Sequence, residues 1–294
     1  MARLGLLLLL LLGLGLFSGC GGSGGDNGRT VVAAFYPLAW VAEETAGDDI
    51  SVVNLTPPGV EPHDLELSPS DVERVRDAEV VLYLGRGFMP ALEDAVAGDD
   101  GAVDLLAGPG LLESDAHGHG QEEHDDGHEL DPHVWLDPAR LAVVARTIAE
   151  ALGKPDGAAD VVARLELLDQ ELQVGLAKCE RRQIVTSHAA FGYLADAYGL
   201  EQIALAGLSP EAEPSPRALG ALVDEVKAEG ATTVFFETLV SPRLAETVAR
   251  EAGARTAALD PLEGLTGDEL AAGADYLSVM RDNLAVLRTA LGCR

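Results

Sequence analysis

The chain has 294 residues, of which 47% are hydrophobic, and its 20 Lys and Arg against 49 Asp and Glu give a formal net charge of -29. This length and hydrophobic content allow one large or two ordinary domains and exclude a wholly disordered chain. Such an acidic surface lacks the basic face that a phosphate backbone requires, which argues against nucleic-acid binding and favours cationic partners. An acidic surface that only maintains solubility is the alternative explanation.

The N-terminus indicates export from the cytoplasm. Arg3 precedes an apolar run over residues 4–17, and a run of about 14 residues is too short for a bilayer that needs ~20, so we expect a signal peptide at 1–19. The run ends in FSGC at Cys20, which resembles the lipobox of bacterial lipoproteins, where the cysteine becomes the lipidated first residue. Ordinary secretion with an unmodified Cys20 is the alternative. The glycine-rich residues 20–29 are predicted to be a flexible tether.

Downstream, strand-like and helix-like segments alternate in two series. In the first series, strands are predicted at 30–35, 50–55, 79–84 and near Val103, and helices at 38–45, 68–77 and 90–96. In the second series, strands are predicted at 183–186, 202–205, 232–236 and 256–259, and helices at 191–198, 216–229, 242–252 and up to Leu291. Apolar strands separated by helices indicate parallel sheets that are covered on both faces.

Two helices are predicted between these series, at 139–152 and 158–178. The second has an apolar stripe on one side and, at 1.5 Å per residue, a length of roughly 30 Å, enough to brace two domains. We therefore expect an α/β fold of two (β/α) domains with parallel sheets, at 30–137 and 180–294, joined by linking helices over 138–179.

A low-complexity stretch lies within the predicted loop 113–130 of the first domain. Residues 117–128 contain four acidic residues and four of the seven histidines of the chain: His117, His119, His124 and His128. Such a tract cannot bury a core, but it can chelate soft-to-borderline cations weakly. A plain solvated loop is the alternative.

The two remaining cysteines, Cys179 and Cys293, are far apart in the sequence. Outside the cytoplasm such a pair tends to be oxidised, so we expect a disulfide that ties the last helix to the end of the central one. A Cys/Cys metal site is the alternative, although neither cysteine has a CxxC neighbour or a nearby histidine.

Histidines and carboxylates at loops and strand ends predict a metal site. His63 and His188 follow predicted strands, Glu237 and Asp260 end two later strands, and His133 is held between two Asp-Pro corners. Ligands of open α/β sheets collect at the carboxyl ends of the strands, so these groups are expected to converge on one crevice. Three imidazoles and one carboxylate oxygen suit zinc, whereas manganese prefers more oxygen ligands. Taken singly, each histidine would more often be an ordinary structural or surface residue, but three histidines at loop or strand-end positions together favour a site.

Several motifs carry a resemblance to a known family. They are GVEPHD at 59–64 with SPSD at 68–71, DPHVWLDP at 131–138, TSHAAFGY at 186–193 and LDPL at 259–262. They resemble motifs of the zinc-binding lipoproteins and periplasmic proteins of bacterial ABC importers, the cluster A-I solute-binding proteins, across essentially the whole mature chain. The resemblance implies two (β/α) domains joined by a long rigid helix, with the metal in the interdomain cleft.

The resemblance also implies a ligand set and a function. It maps the metal ligands onto His63, His133, His188 and Asp260, with Glu237 beside the site as an outer partner or alternate ligand, and with the loop histidines as weak accessory groups. Related proteins that prefer manganese carry a carboxylate where His188 stands, so His188 favours zinc.

The expected protein is not an enzyme but an extracytoplasmic monomer, lipid-anchored to the bacterial membrane or periplasmic if the lipobox is unused. It would capture Zn²⁺ and deliver it to an ABC permease and its ATPase, with a zinc donor protein as a further expected partner. A manganese-binding homologue, a surface adhesin lipoprotein and a zinc hydrolase are the alternatives.

Overall fold

The structure is a computed structural model that describes residues 29–107, 130–210 and 214–294. The predicted signal peptide with Cys20, the tether up to residue 28 and the histidine-rich loop up to residue 129 lie outside the described residues.

In the part of the chain that the structure describes, eight strands form two four-stranded parallel sheets. The first sheet has the order β2-β1-β3-β4 and consists of β1 (Arg29–Ala33), β2 (Ile50–Asn54), β3 (Val80–Tyr83) and β4 (Ala102–Asp104). The second sheet has the order β6-β5-β7-β8 and consists of β5 (Gln183–Thr186), β6 (Glu201–Ala204), β7 (Thr233–Phe236) and β8 (Arg255–Ala258). The two sheets have the same topology, so the prediction of two parallel-sheet α/β domains is confirmed.

Among the described residues, ten α-helices connect and cover the strands. In the first domain they are α1 (Tyr36–Ala46), α2 (Pro69–Asp77) and α3 (Pro90–Ala95). Between the sheets they are α4 (Pro138–Ala151) and α5 (Ala159–Leu176). In the second domain they are α6 (Gly192–Tyr198), α7 (Pro216–Ala228), α8 (Arg243–Ala252), α9 (Gly267–Ala271) and α10 (Tyr276–Leu291). All except the five-residue α9 lie where the sequence predicts them, and the predicted ends agree within about two residues, which is the usual uncertainty of helix boundaries. For α10 the sequence analysis predicts only the end, at Leu291.

Helix α5 packs against α4 on one side and against α10 on the other. Its predicted apolar stripe is buried: Val161, Leu165, Leu168, Leu172 and Leu176. Its 18 residues correspond to a length of about 27 Å. Just beyond its end, Cys179 forms the expected disulfide with Cys293, so the C-terminal ends of α5 and α10 are covalently joined.

One hydrophobic core runs through both domains. It includes Val32 of β1, Ala145 of α4, Leu168 of α5, Ile184 of β5 and Tyr276 of α10. A second, smaller cluster lies between the second sheet and helices α7 and α8. No helix within the described ranges is long and apolar enough to cross a bilayer.

Candidate metal centre

His133 lies in a tight turn between the two domains. It is followed by a single 3-10 turn, Val134–Leu136, after which the carboxylate of Asp137 accepts hydrogen bonds from the first N–H groups of α4. The indole N–H of Trp135 donates to the carbonyl of Pro261 at 2.7 Å. This buried bond ties the turn to the second domain, so the backbone of His133 is fixed from both sides.

Asp131 orients the ring of His133. Its Oδ1 accepts from the backbone N–H of His133 at 2.9 Å and from Nδ1 of the ring at 2.7 Å. A carboxylate only accepts, so Nδ1 carries the proton and Nε2 presents its lone pair. Gly192 leaves space for this carboxylate, since a Cβ at that position would lie 2.6 Å from Oδ2 of Asp131.

His188, two residues after the end of β5, is held in the same way. Oε1 of Glu237, at the end of β7, accepts from the backbone N–H of His188 at 3.2 Å and from Nδ1 at 2.7 Å. The hydroxyl of Thr186 donates to the carbonyl of His188 at 2.7 Å. His188 and Glu237 are both buried. The Nε2 lone pair of His188 is therefore directed away from Glu237.

His63 is held less firmly, by the loop between β2 and α2. Its backbone N–H donates to Oε2 of Glu61 at 3.0 Å, and its ring packs edge-on against Phe88 with 4.5 Å between ring centroids. The same loop crosses to the second domain, where the N–H of Gly59 donates to the carbonyl of Leu265 at 2.9 Å. The side chain of His63 is 8% exposed, whereas those of the other two histidines are fully buried.

The three rings converge on the carboxylate of Glu263. Its Oε1 lies 3.3 Å from Nε2 of His63, 3.4 Å from Nε2 of His133 and 3.2 Å from Nε2 of His188. A tetrahedral zinc ion with ligands at 2.0–2.1 Å has ligand-to-ligand edges of about 3.3 Å. The four atoms all lie within 4.8 Å of one another. The three nitrogen-to-oxygen edges therefore have the length that a four-coordinate zinc site requires.

The charges of the group are strongly coupled. Burial would lower the pKa of the His188 imidazole, but the carboxylates of Glu237 and Glu263 outweigh it and raise this pKa well above its ordinary value. Burial also opposes protonation of His133, yet Asp131 and Glu263 give that ring a raised pKa. Conversely, the imidazoles outweigh burial and hold the pKa of Glu263 well below its usual range. Without a metal ion the group binds protons, which an incoming cation has to displace.

His63 and Glu61, on the loop between β2 and α2, have pKa shifts of the opposite direction to those of the other histidines and of Glu263. Burial, the largest effect, lowers the pKa of His63, so this ring is the most readily neutral of the three. Burial and the charge of Glu263 raise the pKa of the neighbouring Glu61 to about 8. The loop therefore supplies a neutral imidazole, the form that binds a metal.

The donor atoms fit a bound divalent cation. Nε2 of His63 and Nε2 of His133 are both buried without a hydrogen-bond partner. Although Oε1 of Glu263 is nearby, neither contact has the geometry of a hydrogen bond. Buried lone pairs without a partner are costly unless a ligand satisfies them. Three borderline nitrogen donors with one carboxylate oxygen favour zinc over manganese, and four protein donors leave no open position for a reacting water.

The structure brings together the three predicted histidines but not Asp260. Within the described ranges, the group of residues that could share an ion is His63, His133, His188 and Glu263. Oδ1 of Asp260 accepts instead from the N–H of Leu262 at 2.7 Å, and Oδ2 accepts from the hydroxyl of Thr238 at 3.1 Å. The geometry thus replaces Asp260 by Glu263 as the carboxylate of the group. Glu237 lies beside the group as the partner of Nδ1 of His188.

The rule that ligands lie at the carboxyl ends of strands selects Asp260, the first carboxylate after β8. It therefore overlooks Glu263, three residues later. Leu262 has a φ of 56°, which turns the chain before Glu263, and a leucine gives no sequence signal for this left-handed conformation. The available signal was the second carboxylate of the DPLEG sequence, followed by Gly264.

Comparisons with known proteins agree with this geometry. Residues 31–290 match the family described as ZnuA, zinc-uptake complex component A, periplasmic. The zinc-binding lipoprotein AdcA of Streptococcus pneumoniae is 37% identical in an alignment that is 306 residues long. The alignment covers 98% of this chain but 61% of that protein. The high-affinity zinc uptake system protein ZnuA of Bacillus subtilis is 34% identical over 305 residues, which cover 97% of this chain and 94% of that protein.

The fold agrees as well. The crystal structure of the Zn(II)-bound ZnuA-like domain of Streptococcus pneumoniae AdcA has a TM-score of 0.74 and 34% sequence identity, and the match covers 90% of this chain and 99% of that domain. The chain spans about three fifths of the length of the AdcA relative. By its sequence match over nearly all described residues and by its fold, the chain belongs to the ZnuA family of zinc-uptake complex component A proteins.

Proposed function

We propose that this protein is the extracytoplasmic zinc-binding component of an ABC importer, which captures Zn²⁺ and delivers it to a membrane permease. The observation that carries this proposal is the convergence of Nε2 of His63, His133 and His188 on Oε1 of Glu263 at 3.2–3.4 Å. The three rings belong to different parts of the chain, and both domains contribute, so the ion would be held between them.

The geometry supports reversible capture rather than catalysis. A zinc hydrolase needs an open coordination position for water and a general base. Here a fourth protein donor, the carboxylate oxygen of Glu263, would fill the last corner of the tetrahedron, and the carboxylates of Asp131 and Glu237 are used to hold ring N–H groups. Transport of zinc without chemical change of a substrate needs neither water nor base, so we propose that the protein is not an enzyme.

The partners follow from this function. We propose that the protein works with an ABC permease and its ATPase, receives zinc directly or from a donor protein, and acts as a monomer. The sequence at Cys20 supports a lipid anchor that would keep the protein at the outer surface of the cell membrane. The acidic surface with a net charge of -29 attracts cations toward the cleft.

The direct test is metal binding by the purified protein. Protein prepared without added metal and then titrated with zinc in competition with a chelator is expected to bind one zinc ion tightly and manganese much more weakly. Replacing His63, His133 or His188 by alanine removes one of four ligands. If a four-ligand zinc site contributes about 10–16 kcal/mol, each loss costs roughly 3 kcal/mol, or ~100-fold in affinity.

Two results would contradict the proposal. Unchanged zinc affinity in all three alanine variants would place the ion elsewhere, and manganese bound as tightly as zinc would make the protein a manganese carrier. The role in import is tested separately in cells that produce the protein. Deleting its gene is expected to slow growth in zinc-depleted medium, with growth restored by added zinc and by the wild-type gene but not by the His188→Ala gene.

A further inference from the structure

The segment that carries Glu263 is shaped by Asp260. After β8 the chain turns, and Oδ1 of Asp260 accepts from the N–H of Leu262, two residues later, at 2.7 Å. This is the side-chain-to-backbone turn that aspartate makes readily. Asp260 and Leu262 are buried, as is Glu263, so the turn is formed inside the protein and not at a solvated loop tip.

The conformation of Leu262 makes this bond important. Its φ of 56° is left-handed, a region that residues with a Cβ rarely adopt unless the surroundings hold them there. The hydrogen bond from its N–H to Asp260 and the full burial of its side chain supply that constraint. Since Glu263 is the next residue, the direction of its side chain depends on this conformation.

Asn283 of α10 fixes the start of the same segment. Its Oδ1 accepts from the N–H of Asp260 at 2.9 Å, and its Nδ2 donates to the carbonyl of Asp260 at 2.7 Å. The carbonyl of the following residue, Pro261, accepts from the indole of Trp135. The backbone of the turn is therefore held by groups from two other elements, and the carboxylate of Asp260 completes it.

We infer that Asp260 is a positioning residue, whose carboxylate holds the turn at Leu262 and thereby places Oε1 of Glu263 opposite the three histidines. This inference rests on the proposed function and deepens it. In this arrangement Asp260 affects zinc only through Glu263. The role differs from direct ligation, in which the negative charge of Asp260 would itself contact the ion.

Two substitutions separate these roles. Asp260→Asn removes the charge but keeps an Oδ1 that can accept from the N–H of Leu262, whereas Asp260→Ala removes the acceptor. We expect the zinc affinity of Asp260→Asn to stay within about threefold of wild type, and that of Asp260→Ala to fall about 10- to 100-fold, as when an outer partner of a metal ligand is lost. Asp268→Asn and Asp268→Ala, on the exposed surface of α9, are the matched controls.

A double-mutant cycle tests whether Asp260 acts through Glu263. In a Glu263→Gln background, Asp260→Ala should weaken zinc binding by less than about threefold further, because the group that it positions is already lost. Cobalt-loaded protein gives a second readout. Intense visible absorption, typical of four-coordinate Co²⁺, should persist in Asp260→Asn and weaken in Asp260→Ala and Glu263→Gln.

Several results would overturn the inference. If Asp260→Asn lost as much affinity as Glu263→Gln, Asp260 would be a ligand. If Asp260→Ala were neutral, or if its effect were equally large with and without Glu263, it would not act through Glu263. Should Asp260→Ala not fold, the comparison of Asp260→Asn with Glu263→Gln decides alone. A wild-type protein that binds no zinc refutes the proposed function. Histidine variants that lose zinc affinity as expected, together with a neutral Asp260 series, refute this inference only.

Discussion

The hydrogen bond between Glu237 and His188 allows a quantitative test of how a neighbouring carboxylate sets the zinc affinity of the site. In Glu237→Gln the amide Oε1 can still accept from Nδ1 of the ring, so the 2.7 Å contact survives while the negative charge disappears. A charge-assisted hydrogen bond contributes roughly 1.5–3 kcal/mol, against about 1 kcal/mol for a neutral one. The difference of about 1.4 kcal/mol predicts a tenfold loss of zinc affinity, and Glu237→Ala, which loses the bond entirely, should lose about 100-fold.

The same substitution should change the pH dependence of binding. Burial opposes the protonation of His188, but Glu237 and Glu263 raise its pKa well above the ordinary value. A proton must therefore leave before Nε2 can bind zinc, and wild-type affinity should keep rising with pH above about 6.5. Removing the charge of Glu237 lowers the pKa of His188, so the affinity of Glu237→Gln should reach its plateau at a lower pH.

The assay is zinc titration with a competing chelator between pH 5.5 and 8.5, for wild type, both Glu237 variants and Glu246→Gln. Glu246 is exposed on α8, and Glu246→Gln removes the same charge from that surface, so this variant should behave as wild type. Equal affinities of Glu237→Gln and wild type across this pH range would refute the reasoning that Glu237 tunes His188.

The remaining predictions concern the preference for zinc over manganese, the space that Gly192 leaves for Asp131, the histidine-rich loop and the disulfide. His188→Glu should narrow the preference for zinc over manganese by adding a hard oxygen donor, measured by paired titrations with both metals; an unchanged ratio would contradict this. Gly192→Ala should displace the carboxylate of Asp131, whose Oδ2 would lie 2.6 Å from the new Cβ, and weaken zinc binding about 10-fold; Gly220→Ala, where nothing lies within 4 Å of a new Cβ, is the control. Deleting 117–128 should remove weak zinc equivalents and leave the tight one, as counted by calorimetry. Cys293→Ala opens a link across a sequence separation of 114 and should lower the free energy of unfolding by about 4 kcal/mol in denaturant titrations, unless the reduced chain retains structure.

The sequence was sufficient to predict the strands, the helices other than α9, and three of the four side chains that converge in the group. β5 begins and ends as predicted at Gln183–Thr186, since a short β-branched run at the end of a long helical stretch leaves few alternatives. His188 was predictable from this strand, because it lies two residues beyond Thr186, and groups near the carboxyl end of a central parallel strand lie at the sheet edge where ligands collect. His133 was predictable for a related reason, since two Asp-Pro pairs leave its backbone little freedom.

Glu263 was not predictable by the same route. Its direction depends on the left-handed Leu262 and on the distant Asn283, and such tertiary constraints leave no periodic pattern in the sequence. Helix α9 was missed for a different reason. It has only five residues, too few for a hydrophobic period, although its capping box of Thr266 and Glu269 was a visible signal.

The continuous core through both domains limits how the protein can release its cargo. A hinge that separated the two sheets would expose apolar surface shared by α4, α5 and α10, and each 100 Å² costs about 2.5 kcal/mol. Exposing a few hundred Å² would thus cost nearly as much as the zinc site itself contributes. Displacing the His63 loop breaks far less, chiefly the bond from Gly59 to Leu265. The radius of gyration in solution should therefore be almost the same with and without zinc, while amide hydrogen exchange at residues 59–61 and at His63 should differ.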